Sequence, residues 1–157
     1  MATKNDHRVW GDIVLEPIFH DDPPSIKVRL TDKEIFSGRL LEQTSVKFDT
    51  KLPEGVYNLS VEFNNKTDRD VIPDLGLDKA VVIKSLTLAG VQSSKFVWSG
   101  VYVPNYPEPW YSQQNSRPDE RLINQTYLGW NGVWTLTFTS PIFTWIHKIE
   151  NLGWIYD

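Results

Sequence analysis

The sequence predicts an antiparallel β-sandwich of jelly-roll type, closed by a short C-terminal α-helix. Two observations carry the sandwich and a third carries the helix. Several short stretches alternate apolar and polar residues with a period of two, the mark of strands with one buried and one wet face. Clusters of Gly, Pro, Asn and Asp separate these stretches at spacings typical of a sandwich. Near the end, Ile142, Trp145, Ile146, Ile149 and Leu152 follow helical spacing instead.

Residues 1–11 read as an N-terminal arm, anchored at its end by Trp10, ahead of a single domain over 12–157. Ile13 to Phe19 is a short apolar segment, stopped by His20-Asp21-Asp22-Pro23-Pro24. Ser25 to Thr31 sets Ile26, Val28 and Leu30 against Lys27, Arg29 and Thr31, a half-wet strand. Asp32-Lys33 makes the turn to its hairpin partner, Glu34 to Ser37, and Gly38 marks a turn or bulge. Ser45 to Lys51 alternates Val46 and Phe48 with Lys47 and Asp49. Pro53-Glu54-Gly55 is a turn with Pro at its first corner.

The next stretch, from Leu52 to Gly90, is the most informative of the chain. Tyr57, Leu59, Val61 and Phe63 alternate with Val56, Asn58, Ser60 and Glu62. A polar loop follows, then a β-branched run from about Ala80 to Leu88. Ser94 to Val103 reads as one more extended segment, with Phe96 and Trp98 on an apolar face. From Pro104 to Pro118 four prolines stiffen a loop and remove backbone donors. Gly129-Trp130-Asn131-Gly132 resembles a hairpin turn, because Asn-Gly favours the primed turn types. Trp134 to Thr139 alternates again. A helix is expected from about Pro141 to Asn151, with Ser140 as N-cap, Pro141 at the first position and Gly153 after its end; a strand is the competing reading, because Phe143, Trp145 and Ile146 are also strand formers. Trp154, Ile155 and Tyr156 are expected to dock as well.

Composition removes several function classes. At 157 residues and 40% hydrophobic content, the chain can build one real core and is not a disordered segment. Its 16 basic and 20 acidic residues give a net charge of −4 with no basic cluster, so nucleic acid is not an expected partner. The absence of cysteine excludes disulfides, thiolate zinc sites and cysteine nucleophiles. No run approaches about 18 apolar residues, so no membrane-spanning helix is expected. The first residues lack the apolar region of a signal peptide.

Two loops are candidates for chemistry. Asp68, Asp70, Asp74 and Asp78 could supply oxygens to calcium, which takes several hard ligands from a tight turn. Alternatively these acids cap turns or pair with Arg69 and Lys79. In the second loop, Tyr102, Tyr106, Trp110 and Tyr111 could form a stacking platform for sugar rings, with Gln113 and Gln114 taking hydroxyls. The same set fits a protein interface, where Tyr and Trp dominate. Seven Trp exceed the needs of one core, which points some of them to a ligand, a partner or a second copy of the chain. Trp98, Trp130, Trp134, Trp145 and Trp154 are expected to be structural. Catalysis is not expected: His7, His20 and His147 are scattered, and no nucleophile elbow or phosphate loop is present.

The segment LPEGVYNLSVEFNN…GLDKAVVIKSLTLAG resembles the core of calcium-dependent carbohydrate-binding modules of the xylan-binding type. Gly55, Asn58, Leu59, Val61, Phe63 and Asn64 match one strand pattern of that family, and Asp78, Val82, Leu86, Leu88 and Gly90 match another. The resemblance implies the sandwich fold and a calcium-assisted sugar site. Two departures weaken the calcium part: Asn65 replaces an acid, and Lys84 stands where an Asp is expected; Lys79 in place of Arg is a mild change. The second half, FVWSGVYVPNYPEPWYSQQ and YLGWNGVWTLTFTSPIFTWIHKIENLGWIYD, is similar to small proteins encoded by tailed bacteriophages. That similarity implies a virion component, decorating or adapting another structural protein or binding a surface glycan. A free-standing, secreted carbohydrate-binding module is the alternative expectation.

Overall fold

Alternation in the sequence becomes inside and outside in the structure. In β5 (Gly55–Phe63), Leu59, Val61 and Phe63 are buried while Val56 and Asn58 are exposed. In β11 (Gly132–Ser140), Trp134, Leu136 and Phe138 are buried between more exposed threonines. These two strands are antiparallel neighbours at the centre of one sheet, where β-branched and aromatic side chains pack well on a pleated surface. The computed structural model describes residues 6–150.

The remaining elements are β1 (Asp6–Ile18), β2 (Ser25–Leu30), β3 (Lys33–Arg39), β4 (Thr44–Pro53), β6 (Ala80–Leu88), β7 (Val91–Gln92), α1 (Ser94–Trp98), β8 (Val101–Pro104), β9 (Leu122–Ile123), β10 (Tyr127–Leu128) and α2 (Ile142–Ile149). One sheet runs β10-β6-β1-β4, with β7 beside β6. The other runs β3-β2-β5-β11-β8-β9. Every pairing is antiparallel. The core lies between the sheets and draws on Ile13 and Leu15 of β1, Ile83, Leu86 and Leu88 of β6, and the inward residues of β5 and β11. The expected antiparallel sandwich with a short C-terminal helix is therefore the fold of this chain.

One register detail explains a break in pattern. Val14 pairs with Ser85 and Leu15 with Ile83, so Lys84 is the extra residue of a bulge in β6. The bulge lets Val81 and Ile83 on one side of it, and Leu86 and Leu88 on the other, all face the core despite their odd spacing. Lys84 turns outward to Glu16, 3.3 Å away, and takes no part in the acidic loop.

Four sequence expectations are corrected. Residues 6–11 of the expected arm belong to β1. Asp6 to Trp10 pair with β4 alone, Val9 is fully buried, and outward Arg8 meets Asp49. Their polarity reflects an outward face, which hid the strand. Ser94 to Trp98 is helical because the Ser93 hydroxyl accepts the Lys95 amide and caps the turn; Phe96 is buried but Trp98 is half exposed. Gly129 to Gly132 is not a hairpin turn: β10 and β11 lie in different sheets, so the segment crosses between them. Helix α2 starts one residue late, with Pro141 as N-cap, because the Ser140 hydroxyl donates to the Leu52 carbonyl instead. Its inward face is Ile142, Trp145 and Ile146, with Ile149 partly buried beside them. Leu152, Gly153, Trp154, Ile155 and Tyr156 lie outside the described residues.

Candidate functional site

The sheet register gathers the long loops at one end of the sandwich. Ile26, Phe63, Gly132 and Pro104 form one row across β2, β5, β11 and β8. The segments before β2, after β5, before β11 and after β8 therefore leave the sheet together. Gly132 makes this close convergence possible. A Cβ there would lie 2.4 Å from the Val103 carbonyl oxygen, which real side chains do not tolerate.

Asn131 then locks the loops to one another. Its side-chain oxygen accepts the Lys66 amide at 2.8 Å, and its side-chain nitrogen donates to the Lys66 carbonyl at 3.0 Å. The Asn131 backbone carbonyl accepts the Asn105 amide at 2.6 Å. The result is a cleft of about 370 Å³ between the acidic and aromatic loops. Trp110, Trp130, Pro107, Val71 and Pro73 give it apolar walls, and Lys66, Thr67, Asp68, Asn105 and Asn131 supply polar groups.

The aromatic side chains form a cluster. Trp110 and Trp130 lie 4.6 Å apart, centroid to centroid, at 43°. Tyr106 packs on Trp110 at 5.4 Å, on Tyr111 at 5.8 Å and edge-on against Trp130 at 5.6 Å. The Lys66 ammonium sits 5.1 Å from the Trp130 ring, within cation–π range. The Tyr106 hydroxyl donates to the Asp119 carbonyl. Burial first, then the neighbouring Asp119 and Tyr111, raise its pKa. The Tyr111 hydroxyl accepts from Arg117.

The predicted contact residues thus divide. Trp110 lines the cleft, while Tyr106 and Tyr111 support it and line a neighbouring concavity of about 390 Å³. Gln113 and Gln114 are exposed beside the 3-10 turn Tyr111–Gln113, and Gln114 donates to the Trp110 carbonyl. Tyr102 is a correction: it is fully buried in β8, with its hydroxyl bonded to both the amide and the carbonyl of Trp130. Burial, outweighing the Trp130 hydrogen bond, pushes its pKa well up. Its alternation partners Val101 and Val103 lean outward, so the inward position fell to the tyrosine. Sequence reasoning missed Trp130. The available signal was that Trp130 lies in no alternating stretch, so neither sheet face claims its ring.

The four acids are not brought together. Asp68 and Asp74 are exposed on separate 3-10 turns, Asp68–Asp70 and Pro73–Leu75. Asp70 is buried: its carboxylate accepts the Thr67 amide at 2.7 Å and lies 3.1 Å from the Lys79 ammonium. Burial opposes its ionisation, but these two partners outweigh burial and lower its pKa. Asp78 accepts from the Lys66 ammonium at 2.6 Å, from the Lys79 amide at 2.8 Å and from the Tyr127 hydroxyl at 2.7 Å. There too burial is overcome and the carboxyl pKa is lowered. Tyr127 shifts upward, through burial first and then the adjoining Asp78.

A larger concavity of about 810 Å³ lies between the β2–β3 hairpin and β4. Its aromatic residue is Phe48, which is buried, so it offers no open ring face.

No protein-family model matches the sequence, and no curated protein matches it. Among solved structures, the fold is similar to that of vCBM60, from work linking two families of calcium-dependent carbohydrate-binding modules by circular permutation. The TM-score is 0.52 at 11% identity, covering 82% of this chain and 89% of that one. A structure of vCBM60 in complex with galactobiose aligns with a TM-score of 0.48 at 11% identity, over 81% and 96% of the two chains. The sandwich is thus of the carbohydrate-binding-module type. Calcium belongs to the description of that neighbour, and the acids here do not fit such an ion. Among the described residues no three His, Cys, Asp or Glu side chains converge. Buried Asp70 and partly buried Asp78 already hold lysine ammonium groups.

Proposed function

We propose that this chain is a non-catalytic glycan-binding module, with its ligand seated in the cleft floored by Trp110 and Trp130. One observation carries the reading: two half-buried Trp rings, 4.6 Å apart, line a cleft ringed by amide, hydroxyl and carboxylate groups. Sugar C–H faces lie against aromatic π-faces, and the exposed Thr67, Asp68 and Asn105 are placed to meet hydroxyls. The cleft is built to bind rather than to cleave. Glycoside hydrolysis commonly needs two opposed carboxyl groups, whereas Asp68 is the single carboxylate among the described lining residues. The carbohydrate-binding-module fold supports the same class.

Calorimetric titration with soluble xylo- and galacto-oligosaccharides tests the reading. Trp110→Ala is expected to weaken binding by about 2 kcal/mol, roughly 30-fold, the scale of a contact hot spot. Binding that survives Trp110→Ala unchanged would remove the cleft from the interface.

A virion decorating or adapting role is the second reading. It rests on the resemblance of the second half to phage-encoded proteins, and the Tyr, Trp and Arg side chains gathered around Tyr111 and Arg117 are those that protein interfaces favour. Co-purification with particles, lost in Trp110→Ala and accompanied by no glycan binding, would move the assignment there.

A further inference from the structure

The Lys79 side chain is 1% exposed, and its ammonium group faces three oxygens from three separate segments. Asp22 Oδ2, from the turn before β2, lies at 3.0 Å. Asp70 Oδ1, at the end of the first 3-10 turn, lies at 3.1 Å. The Asn65 carbonyl oxygen, just after β5, lies at 3.2 Å. Two carboxylates and a backbone carbonyl form a donor set of the kind a hard divalent cation takes. A buried ammonium is unfavourable unless each of its protons is met, and here there are three protons and three oxygens.

The surrounding charge is balanced. Asp22 also pairs with Arg39, and Asp78 pairs with Lys66. Asp22, Asp70 and Asp78 thus each already face a cation, from Arg39, Lys66 and Lys79. The cage also serves the cleft directly. Asn65 precedes Lys66, and Asp70 holds the turn between Thr67 and Val71; Lys66, Thr67 and Val71 line the cleft. Asn65 further ties the loop to the turn before β2, accepting the Ser25 amide at 2.7 Å and donating to the Pro23 carbonyl at 3.0 Å.

We infer that the Lys79 ammonium is a built-in cation, occupying a site where a divalent metal would otherwise order the loops, and that the cleft wall is independent of calcium. This stands apart from the glycan reading, because it concerns how the loops are held and is read without any sugar.

The test is thermal melting of the full chain and of Lys79→Met, each in EDTA and in about 10 mM calcium chloride at matched ionic strength. The wild type is expected to melt within about 1 °C in both. Lys79→Met, which keeps the stem and removes the charge, is expected to melt about 5 °C lower in EDTA or more, and to recover part of that loss with calcium. Three results overturn the proposal: a wild type stabilised by calcium, a Lys79→Met that melts with the wild type, or a lowered Lys79→Met that does not respond to calcium. If Lys79→Met does not fold, the wild-type pair decides alone: equal melting upholds the inference and a calcium-induced rise overturns it.

Discussion

Tyr102→Phe removes one oxygen atom, and the structure sets what that oxygen is worth. The ring is fully buried in β8, opposite Trp134 of β11, and phenylalanine fills the same space. The hydroxyl accepts the Trp130 amide at 3.0 Å and donates to the Trp130 carbonyl. Its loss leaves both backbone groups without that partner, where a buried unsatisfied polar group costs about 1–3 kcal/mol. Trp130 is half-buried, so water reaches part of the segment and the lower end applies to each group. The sum is about 2 kcal/mol, and at roughly 2–4 °C per kcal/mol for a domain of this size the melting temperature should fall by about 4–8 °C. Urea unfolding should show a lower midpoint with an unchanged slope, since the fold and its buried surface are kept. Melting within about 1 °C of the wild type would refute the reasoning. Weakened glycan binding at unaltered stability would instead return Tyr102 to the contact surface that its sequence position suggested.

Two further outcomes follow from the same geometry. Asp70 and Asp78 both have lowered carboxyl pKa values, so their contribution is complete above the unfolded value of about 3.9 and is lost as pH falls through the folded values. Melting temperature should therefore drop steeply below about pH 4, and Asp78→Asn, though less stable at neutral pH, should show a shallower drop; equal steepness would mean that the Lys66 pair carries no linkage. Trp145→Ala should cost about 3–5 kcal/mol in urea unfolding, because the ring is 8% exposed and packs on Phe96 at 5.6 Å and Phe138 at 6.4 Å. A cost under about 1 kcal/mol would show that α2 does not seal the sandwich.

The fold was legible because the sandwich is a two-sided object and its strands carry two-sided patterns. Leu59, Val61 and Phe63 announce their face, as do Trp134, Leu136 and Phe138. The strand Asp6–Ile18 was half hidden because its first residues pair on one side only and show polar groups outward. The helix Ser94–Trp98 is too short for any period to register, and a single capping hydroxyl decides it. Lys84 was legible as a departure but not as a bulge, since only the register with Val14 and Leu15 shows that it is the extra residue.

The site was less legible, for a different physical reason. Its parts belong to segments that no local pattern connects. Asn131 lies 65 positions from Lys66, yet its side-chain amide mimics a backbone pair and joins the acidic loop to the crossover before β11. Lys79 lies 57 positions from Asp22 and follows Asp78 at the end of a polar loop, so nothing in the sequence marks it as buried. The aromatic loop could be found because prolines and rings stand out in a composition. What it packs against could not, because the Asn-Gly pair beside Trp130 predicts a hairpin, whereas the segment crosses between sheets. In a sandwich, strands alone bring loop ends together, and which loops meet depends on sheet order. The row Ile26, Phe63, Gly132 and Pro104 is the step between the two levels. Once that row is known, chain connectivity shows which loops share its end and can meet.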